Sequence, residues 1–298
     1  YDYVIGNPPF FKMKSVDSLL NEYRKNAINK ATTNICEFFL EKALKISNYV
    51  ALVFPKFLLN TPEFSKTREF LSVKAIDSII DFGEKGFPGV LVETLAIFIS
   101  NSKKPLKTRV KSITHGINLV QQQKYIFDKE LPYWLIYRNQ MFDDICKKLE
   151  FDVFTVFRDR QITSASLSSE GEVRVYKSRN ISDDGKQMLN IEGYDSFISF
   201  EEAEKLAVYE FYNRTDVYLT PNMTYNPRLM RKPANCIVNG SIAILMPKLG
   251  VEPTEKQMEY ISSKEYRAFY QIARNYQTRS LNVDACSVFF FGLLKEEV

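Results

Sequence analysis

Apolar and polar positions alternate in blocks along the first hundred residues. Residues 1–5 form a short apolar run closed by Gly6, with the length and texture of a buried strand. Asn7-Pro8-Pro9-Phe10 follows at once, and two successive prolines continue neither a central strand nor a helix. A polar stretch rich in Lys and Asn then runs to about Thr33, where the pattern predicts a long loop with one weak helix. A better helix is predicted over 34–47. Asn34 can cap it, Glu37 stands three residues on as in a capping box, and Ile35, Phe39, Ala43 and Ile46 share a face. Residues 49–54 are the next strand, stopped by Pro55. Thr61-Pro62 reads as an N-cap followed by proline at the first helical position, opening a helix to about Ser72. Residues 75–82 are a third strand, 83–89 a glycine-rich loop, and 91–100 a fourth strand.

The order is therefore β-α-β-α-β-β. Alternating strands and helices predict a mostly parallel sheet with helices on its faces. Only about eight residues join the last two strands, too few for a helical crossover, so that pair should be antiparallel. Lys103-Lys104-Pro105 marks the exit from the sheet, with 108–113 as one further candidate strand. Beyond that the texture changes. A helix is predicted over 131–149, carrying the single tryptophan, Trp134, and helical segments over 200–211 and within 257–277. Strand-like segments fall at 151–162, 172–176, 237–246 and 287–293. Two domains are expected: an α/β domain over 1–112 and a mixed α+β domain over 113–298.

Composition narrows the class. The chain has 298 residues, 45% hydrophobic and 26% charged, which is ordinary for a folded chain with a sizeable core. Its longest apolar runs are strand-sized, far short of the roughly 18 residues of a membrane span. The chain opens on Tyr1 and shows no signal peptide. Cys36, Cys146, Cys236 and Cys286 stand far apart, as expected of reduced thiols in a cytoplasmic protein. His115 is the only histidine, which argues against zinc sites and histidine acid–base chemistry. The net charge of +4 divides into +6 over 1–112 and −2 over 113–298. If the second part meets nucleic acid, it must do so with local basic clusters rather than a global field.

Asn7-Pro8-Pro9-Phe10 carries the chemistry. Here the sequence resembles the gamma-class N6-adenine DNA methyltransferases of type II restriction–modification systems, whose catalytic signature is Asn/Asp-Pro-Pro-Tyr/Phe directly after a strand. The exocyclic amine of adenine is a poor nucleophile because its lone pair is delocalised into the ring. Two fixed acceptors for its hydrogens leave that lone pair free to meet an electrophilic methyl group. The resemblance assigns one acceptor to the Asn7 side chain and the other to the Pro8 carbonyl, with Pro9 holding Pro8 extended. It assigns Phe10 to stack on a base extruded from the duplex. A second aromatic wall is expected from a Phe-Pro segment between the last two strands, and Phe87-Pro88 stands there. The strand closed by Pro55, and the helix containing Arg68-Glu69-Phe70-Leu71, fit the same family pattern, as does the fold it implies: the C-terminal half of a Rossmann-like methyltransferase sheet.

The family binds S-adenosylmethionine with a glycine-rich loop after its first strand and an acidic residue after its second. Neither occurs here, and 83–89 lacks the helix start such a loop requires. In gamma order those motifs precede Asn-Pro-Pro-Phe. The expectation is an incomplete enzyme, whose cofactor is bound mainly by an N-terminal half or partner subunit.

Residues 113–298 resemble the target-recognition domains of restriction–modification methyltransferases and type I specificity subunits. The segments that carry this likeness are Arg158-Asp159-Arg160-Gln161-Ile162-Thr163, the stretch Val173-Arg174-Val175-Tyr176-Lys177-Ser178-Arg179-Asn180-Ile181, Pro227-Arg228, and the region around Arg279. Cations among aromatics and amides suit phosphates and base edges. Arg158, Arg160, Lys177 and Arg179 are the first candidates for contact with double-stranded DNA. Arg228, Arg231, Lys232, Arg274 and Arg279 form a second tier, and Gln161, Asn180 and Gln277 are amides able to read adenine. Tyr266, Phe269, Tyr270 and Tyr276 fall on helical spacing and are expected in the core. The expected reaction is site-specific methylation of adenine N6. The alternatives are an RNA or protein-glutamine methyltransferase, N4-cytosine methylation, and a DNA-recognition subunit that needs a partner chain.

Overall fold

The computed structural model describes the chain apart from residues 15, 88–91, 102, 105, 279–281 and 296–298. It divides into two compact units. The first comprises Tyr1–Arg138 with Arg274–Ser280, and the second Asn139–Ala273 with Leu281–Val298. The first unit thus continues past residue 112, and takes in a short segment from near the end of the chain.

In the first unit, β1 (Tyr3–Gly6) leads through α1 (Ser18–Lys25) and α2 (Ile35–Ile46) to β2 (Tyr49–Pro55). Then come α3 (Ser65–Ser72), β3 (Ala75–Gly83), β4 (Thr94–Ser100), β5 (Lys107–Ser112), β6 (Asn118–Gln122) and one helical turn, α4 (Gln123–Ile126). The six strands form one sheet in the order β1-β2-β4-β3-β5-β6. β1 runs parallel to β2, while β4 is antiparallel to both β2 and β3. β2 and β3 are therefore parallel to each other, with β4 inserted between them. The expected antiparallel pair of 75–82 and 91–100 forms, and β4 pairs on its other side as well. The sheet adds β5 parallel to β3, and then β6, which the sequence pattern did not predict.

β1 is not buried. It has a single partner at the sheet edge, and Tyr3 and Ile5 stay 68% and 82% exposed. α2 forms as predicted, with the Asn34 side chain accepting from Cys36 N at 3.2 Å; such a cap contributes about 1 kcal/mol. The expected apolar face turns inward only in part. Cys36, Glu37, Leu40, Ala43 and Leu44 are buried, whereas Phe39 and Ile46 are exposed. Glu37 is drawn into the interior rather than reaching back as a capping-box partner.

The predicted helix over 131–149 forms only as α5 (Gln140–Lys148), in the second unit. Pro132 interrupts its start, and Tyr133, Trp134, Leu135, Ile136 and Tyr137 are buried in the first unit without helical structure. Trp134 N donates to the Leu59 carbonyl and Leu135 N to that of Ile126. The second unit continues with β7 (Leu149–Glu150), β8 (Phe154–Phe157), β9 (Val173–Tyr176), β10 (Ser196–Ile198), α6 (Phe200–Ala203), β11 (Tyr218–Pro221) and β12 (Met230–Arg231). It ends with β13 (Cys236–Val238), β14 (Ile242–Pro247), α7 (Glu255–Ile261), α8 (Lys264–Ala273) and β15 (Leu293–Leu294). Sheets β10-β9-β13 and β12-β11-β14-β8 share a core that includes Val173, Val175, Phe211, Leu219, Ile237 and Ile244. The run 237–246 is two strands rather than one, broken by a turn at Asn239–Ser241. Tyr266, Phe269 and Tyr270 are in the core as expected, while Tyr276 lies in the first unit. No helix among the described residues is long and apolar enough to cross a membrane.

Candidate active site and nucleic-acid interface

The strand directions bring several loops to one edge of the first unit's sheet. Asn7–Phe10 leave the carboxyl end of β1, Lys56–Asn60 that of β2, and Glu84–Phe87 that of β3, while β4 starts beside them after Glu93. Gly6 pairs in register with Leu52, so Asn7 leaves the sheet next to Val53. In open α/β sheets this is the edge at which ligands bind. Pro8 is buried, while Asn7 and Pro9 are exposed. The segment after them is strapped down. Asn34 Nδ2 donates to the Phe10 carbonyl at 3.1 Å, and Ile35 N donates to that of Phe11. Glu63 accepts from Thr33 N and pairs with Lys12 at 2.8 Å. Burial raises the Glu63 pKa, yet Lys12 and the Thr33 amide hold it below the usual carboxylate value.

Beside these loops lies a buried charge cluster that sequence reading missed. The Lys56 ammonium, 1% exposed, sits 2.7 Å from Asp81 and 3.6 Å from Glu93. Asp81 also accepts from Tyr137 Oη and from Gly83 N. Burial, with the neighbouring Asp81 charge, pushes the Tyr137 phenol far above its usual value, so Tyr137 acts as a donor. His115 is held below its ordinary pKa by burial and by Lys56. Residues this far apart in sequence give no motif; the one local signal is a lysine directly after the proline that stops β2.

Phe87 is half-buried, and Pro88 lies outside the described residues. The loop before Phe87 is tightly seated. Gly83 has φ +54°, and a methyl group at Gly86 would clash with Thr94 Oγ1.

In the second unit the first-tier cations gather around one turn. Asp159 is buried and accepts from Gln161 N and Ile162 N, so the chain turns between Arg158 and Arg160. Gly240 packs so closely that a side chain there would meet the Asp159 carbonyl. Ser241 Oγ accepts from Ser178 N, and Asn239 N donates to the Tyr176 carbonyl. The turn at 239–241 therefore joins the Arg158–Arg160 loop to the Lys177–Arg179 loop. Arg158 is lowered in pKa by burial and by the nearby Arg160 charge.

Tyr194 lies under two cations, with Lys177 Nζ 3.9 Å and the Arg179 guanidinium 4.7 Å from its ring centroid. Alongside, Arg174 lies over Tyr176 and Phe197 at 5.0 and 4.9 Å and pairs with Asp195 at 2.5 Å. Burial lowers the Lys177 pKa against the pull of Asp195. Arg174, named in the sequence only as part of the 173–181 segment, and Tyr194, not named there, join this surface. Alternation along β9, which puts Arg174 and Tyr176 on one face, was the available signal.

The second tier separates. Lys232 is buried, and its ammonium donates to the carbonyls of Tyr212 and Pro233 and to Cys236 Sγ. Arg228 is buried and donates to the carbonyls of Asn226 and Ile181. Both are internal posts rather than surface cations, because neighbouring carbonyls take up their donors. Arg231 is exposed and pairs with Glu252 at 3.2 Å. Arg274 is buried in the first unit, and Arg279 lies outside the described residues. The three amides are also engaged. Asn180 bonds Leu189 and Asp195, Gln161 accepts from Ala207 N, and Gln277 bonds Asn60.

Comparison with known proteins adds three findings. The family described as Eco57I restriction-modification methylase matches residues 1–87, the stretch from β1 through β3 to Phe87. None of the curated proteins compared is similar to the chain. Among solved structures, the type IIL restriction-modification enzyme MmeI in complex with DNA matches 97% of this chain and 46% of its own, at 13% identity and a TM-score of 0.54. The type IIG restriction endonuclease BpuSI matches 100% of this chain and 47% of its own, at 10% identity and a TM-score of 0.43. A modification subunit of a putative type I restriction enzyme from Vibrio vulnificus YJ016 matches 38% and 25%, at 19% identity and a TM-score of 0.32. The chain spans less than half the length of each of these three proteins. The fold is mixed α/β with a central mixed sheet, similar to the fold of MmeI.

Proposed function

We propose that this chain is the base-binding and DNA-reading part of a site-specific DNA methyltransferase acting on the N6 amine of an extruded adenine. The observation that carries the reading is the position of Asn7–Phe10. These residues leave the carboxyl end of a parallel strand, at the sheet edge shared with the loop that bears Phe87. In this reading the first unit is catalytic and the second recognises the target.

The Asn7 side-chain oxygen and the Pro8 carbonyl accept the two hydrogens of the amine. Pro8 is fixed by its ring, by the following proline and by burial, so its carbonyl needs no reorganisation when the substrate arrives. Phe10 and Phe87 flank the base. Extrusion costs a few kcal/mol, and each stack returns roughly 1–3 kcal/mol. Arg158, Arg160, Lys177 and Arg179, with Arg174 and Tyr194, face the duplex.

The donor is S-adenosylmethionine, which supplies an electrophilic methyl group. In this reading its site is held mainly by a further segment or a partner subunit. The exposed β1 edge, with Tyr3 and Ile5, suits pairing with a further strand-bearing segment that holds the donor.

The test is methyl transfer to duplex DNA by the full-length protein, read by mass spectrometry of the digested nucleosides. N6-methyladenine is expected with the parent. Asn7→Ala should lower its formation by about 100-fold or more. Methylated cytosine, RNA or protein in its place, or DNA binding without methylation, would overturn the reading.

A further inference from the structure

Residues 275–278 cross the carboxyl edge of the first unit's sheet, although the chain on either side of Arg274–Ser280 belongs to the second unit. Three anchors hold this strap. Asn275 accepts from Ile136 N at 3.0 Å and donates to the Trp134 carbonyl at 2.8 Å. Tyr276 lies against the rings of His115 and Tyr137, with centroids 4.8 and 5.3 Å away. Gln277, fully buried, accepts from Asn60 Nδ2 at 2.5 Å. Asn275 and Tyr276 are both left-handed, at φ 49° and 51°. That conformation is disfavoured for a tyrosine, so the anchors rather than local preference impose the path.

Thr278 ends the crossing. Its backbone N–H donates to Glu93 at 3.0 Å, and its hydroxyl donates to Glu84. Glu84 opens the connection between β3 and β4, Glu93 closes it, and Phe87 lies between them. A single residue of the strap thus clasps both ends of the loop that carries Phe87. Glu93 is in turn tied to the buried Lys56.

We infer that Thr278 is a positioning residue for this loop, setting where Phe87 meets the target base; the inference rests on the base-stacking reading of Phe87. Thr278 acts through Glu84 and Glu93, not on the base itself. The strap is continuous in sequence with the second unit at both ends.

The experiment uses the full-length protein with two duplexes, one with adenine at the methylated position for kcat and one with 2-aminopurine there for fluorescence, because 2-aminopurine lacks the amine that is methylated. Thr278→Val keeps the backbone N–H and the side-chain shape but removes the hydroxyl; Thr278→Ser restores it. With Val, Kd for the duplex and the thermal midpoint should stay at their wild-type values. kcat should fall about 10-fold or more, as for a misplaced group near the reacting centre, and the 2-aminopurine fluorescence of the complex should change. Ser should recover both. Wild-type kcat and fluorescence with Val would overturn the inference. So would a joint loss of Kd, thermal midpoint and kcat that Ser fails to rescue, because that pattern marks a structural role. If the wild-type protein neither extrudes 2-aminopurine nor methylates adenine, the base-stacking reading itself falls and takes the inference with it.

Discussion

The sheet edge of the first unit and the β9 surface of the second handle charge in opposite ways. At the sheet edge the Lys56 ammonium is enclosed, with Asp81 and Glu93 as counter-charges and Tyr137 completing the set. On the β9 surface Lys177 and Arg179 lie across a tyrosine ring, and Lys177 gives one donor to Ser196 Oγ. The ring attracts a cation through its quadrupole without taking up its hydrogen-bond donors. A cation of the first kind is committed to the fold. One of the second kind remains available to a phosphate. The residue type is the same in both places; burial and partner chemistry decide what the charge does.

The largest effect should come from breaking the enclosed set. Lys56→Met removes the positive member and strands two carboxylates in the interior. Losing one partner of a buried ion pair costs about 3–5 kcal/mol. Urea unfolding should show a loss of that size, with the proposed methylation lost in step because the ends of β2, β3 and β4 meet there. A loss below about 1 kcal/mol would mean that water already reaches the cluster, and the contrast between the two regions would collapse.

These differences explain what could be read from the sequence. The β-α-β-α-β-β order and the antiparallel final pair were legible because each strand is a short apolar run bounded by Gly or Pro. Insertion of β4 between β2 and β3 follows from pairing, which periodicity does not encode. The face of α2 was misjudged because periodicity assumes that apolar residues turn inward. Next to the exposed edge strand, Phe39 and Ile46 remain outside while Glu37 goes in. The break at Asn139 was hidden because Tyr133–Tyr137 has the apolar density of a helix and is buried as a loop. Asn7–Phe10 stood out since its four residues are contiguous. Lys56, Asp81, Glu93 and Tyr137 did not, being joined only by the fold. Among the basic candidates, sequence could not separate Lys177 from Lys232, one lying on a ring and the other closed in by carbonyls.

A smaller effect, and one without loss of stability, is expected from the open region. Lys177→Ala with Arg179→Ala should leave unfolding within about 0.5 kcal/mol of wild type, as for ordinary surface changes. DNA affinity should weaken for cognate and unrelated duplexes alike. The slope of log Kd against log salt should shrink by about one for each phosphate contact removed. Titration across a salt series checks this. An unchanged slope would remove the β9 surface from the proposed DNA interface, and a loss confined to the cognate duplex would make these side chains base readers instead.

Glu37 sharpens the contrast in another way, as a carboxyl group taken inside and kept neutral. Burial pushes its pKa from the ordinary 4.5 to about 8, with Glu41 and Glu63 adding to the rise and the Thr67 hydroxyl opposing it. The folded state then holds a proton that the unfolded chain releases above about pH 4.5. The stability this group contributes is complete below that pH and is lost as pH rises toward 8. Across this window the loss is roughly 1.4 kcal/mol per pH unit for Glu37 alone. Glu37→Gln keeps the neutral shape and abolishes the titration. The stability of the variant should therefore exceed that of wild type near pH 8 and converge on it near pH 4.5. Urea midpoints at a series of pH values read this directly. Parallel pH profiles for the two proteins would mean that Glu37 is ionised in the folded state, and that the interior of the first unit tolerates a carboxylate without a counter-charge.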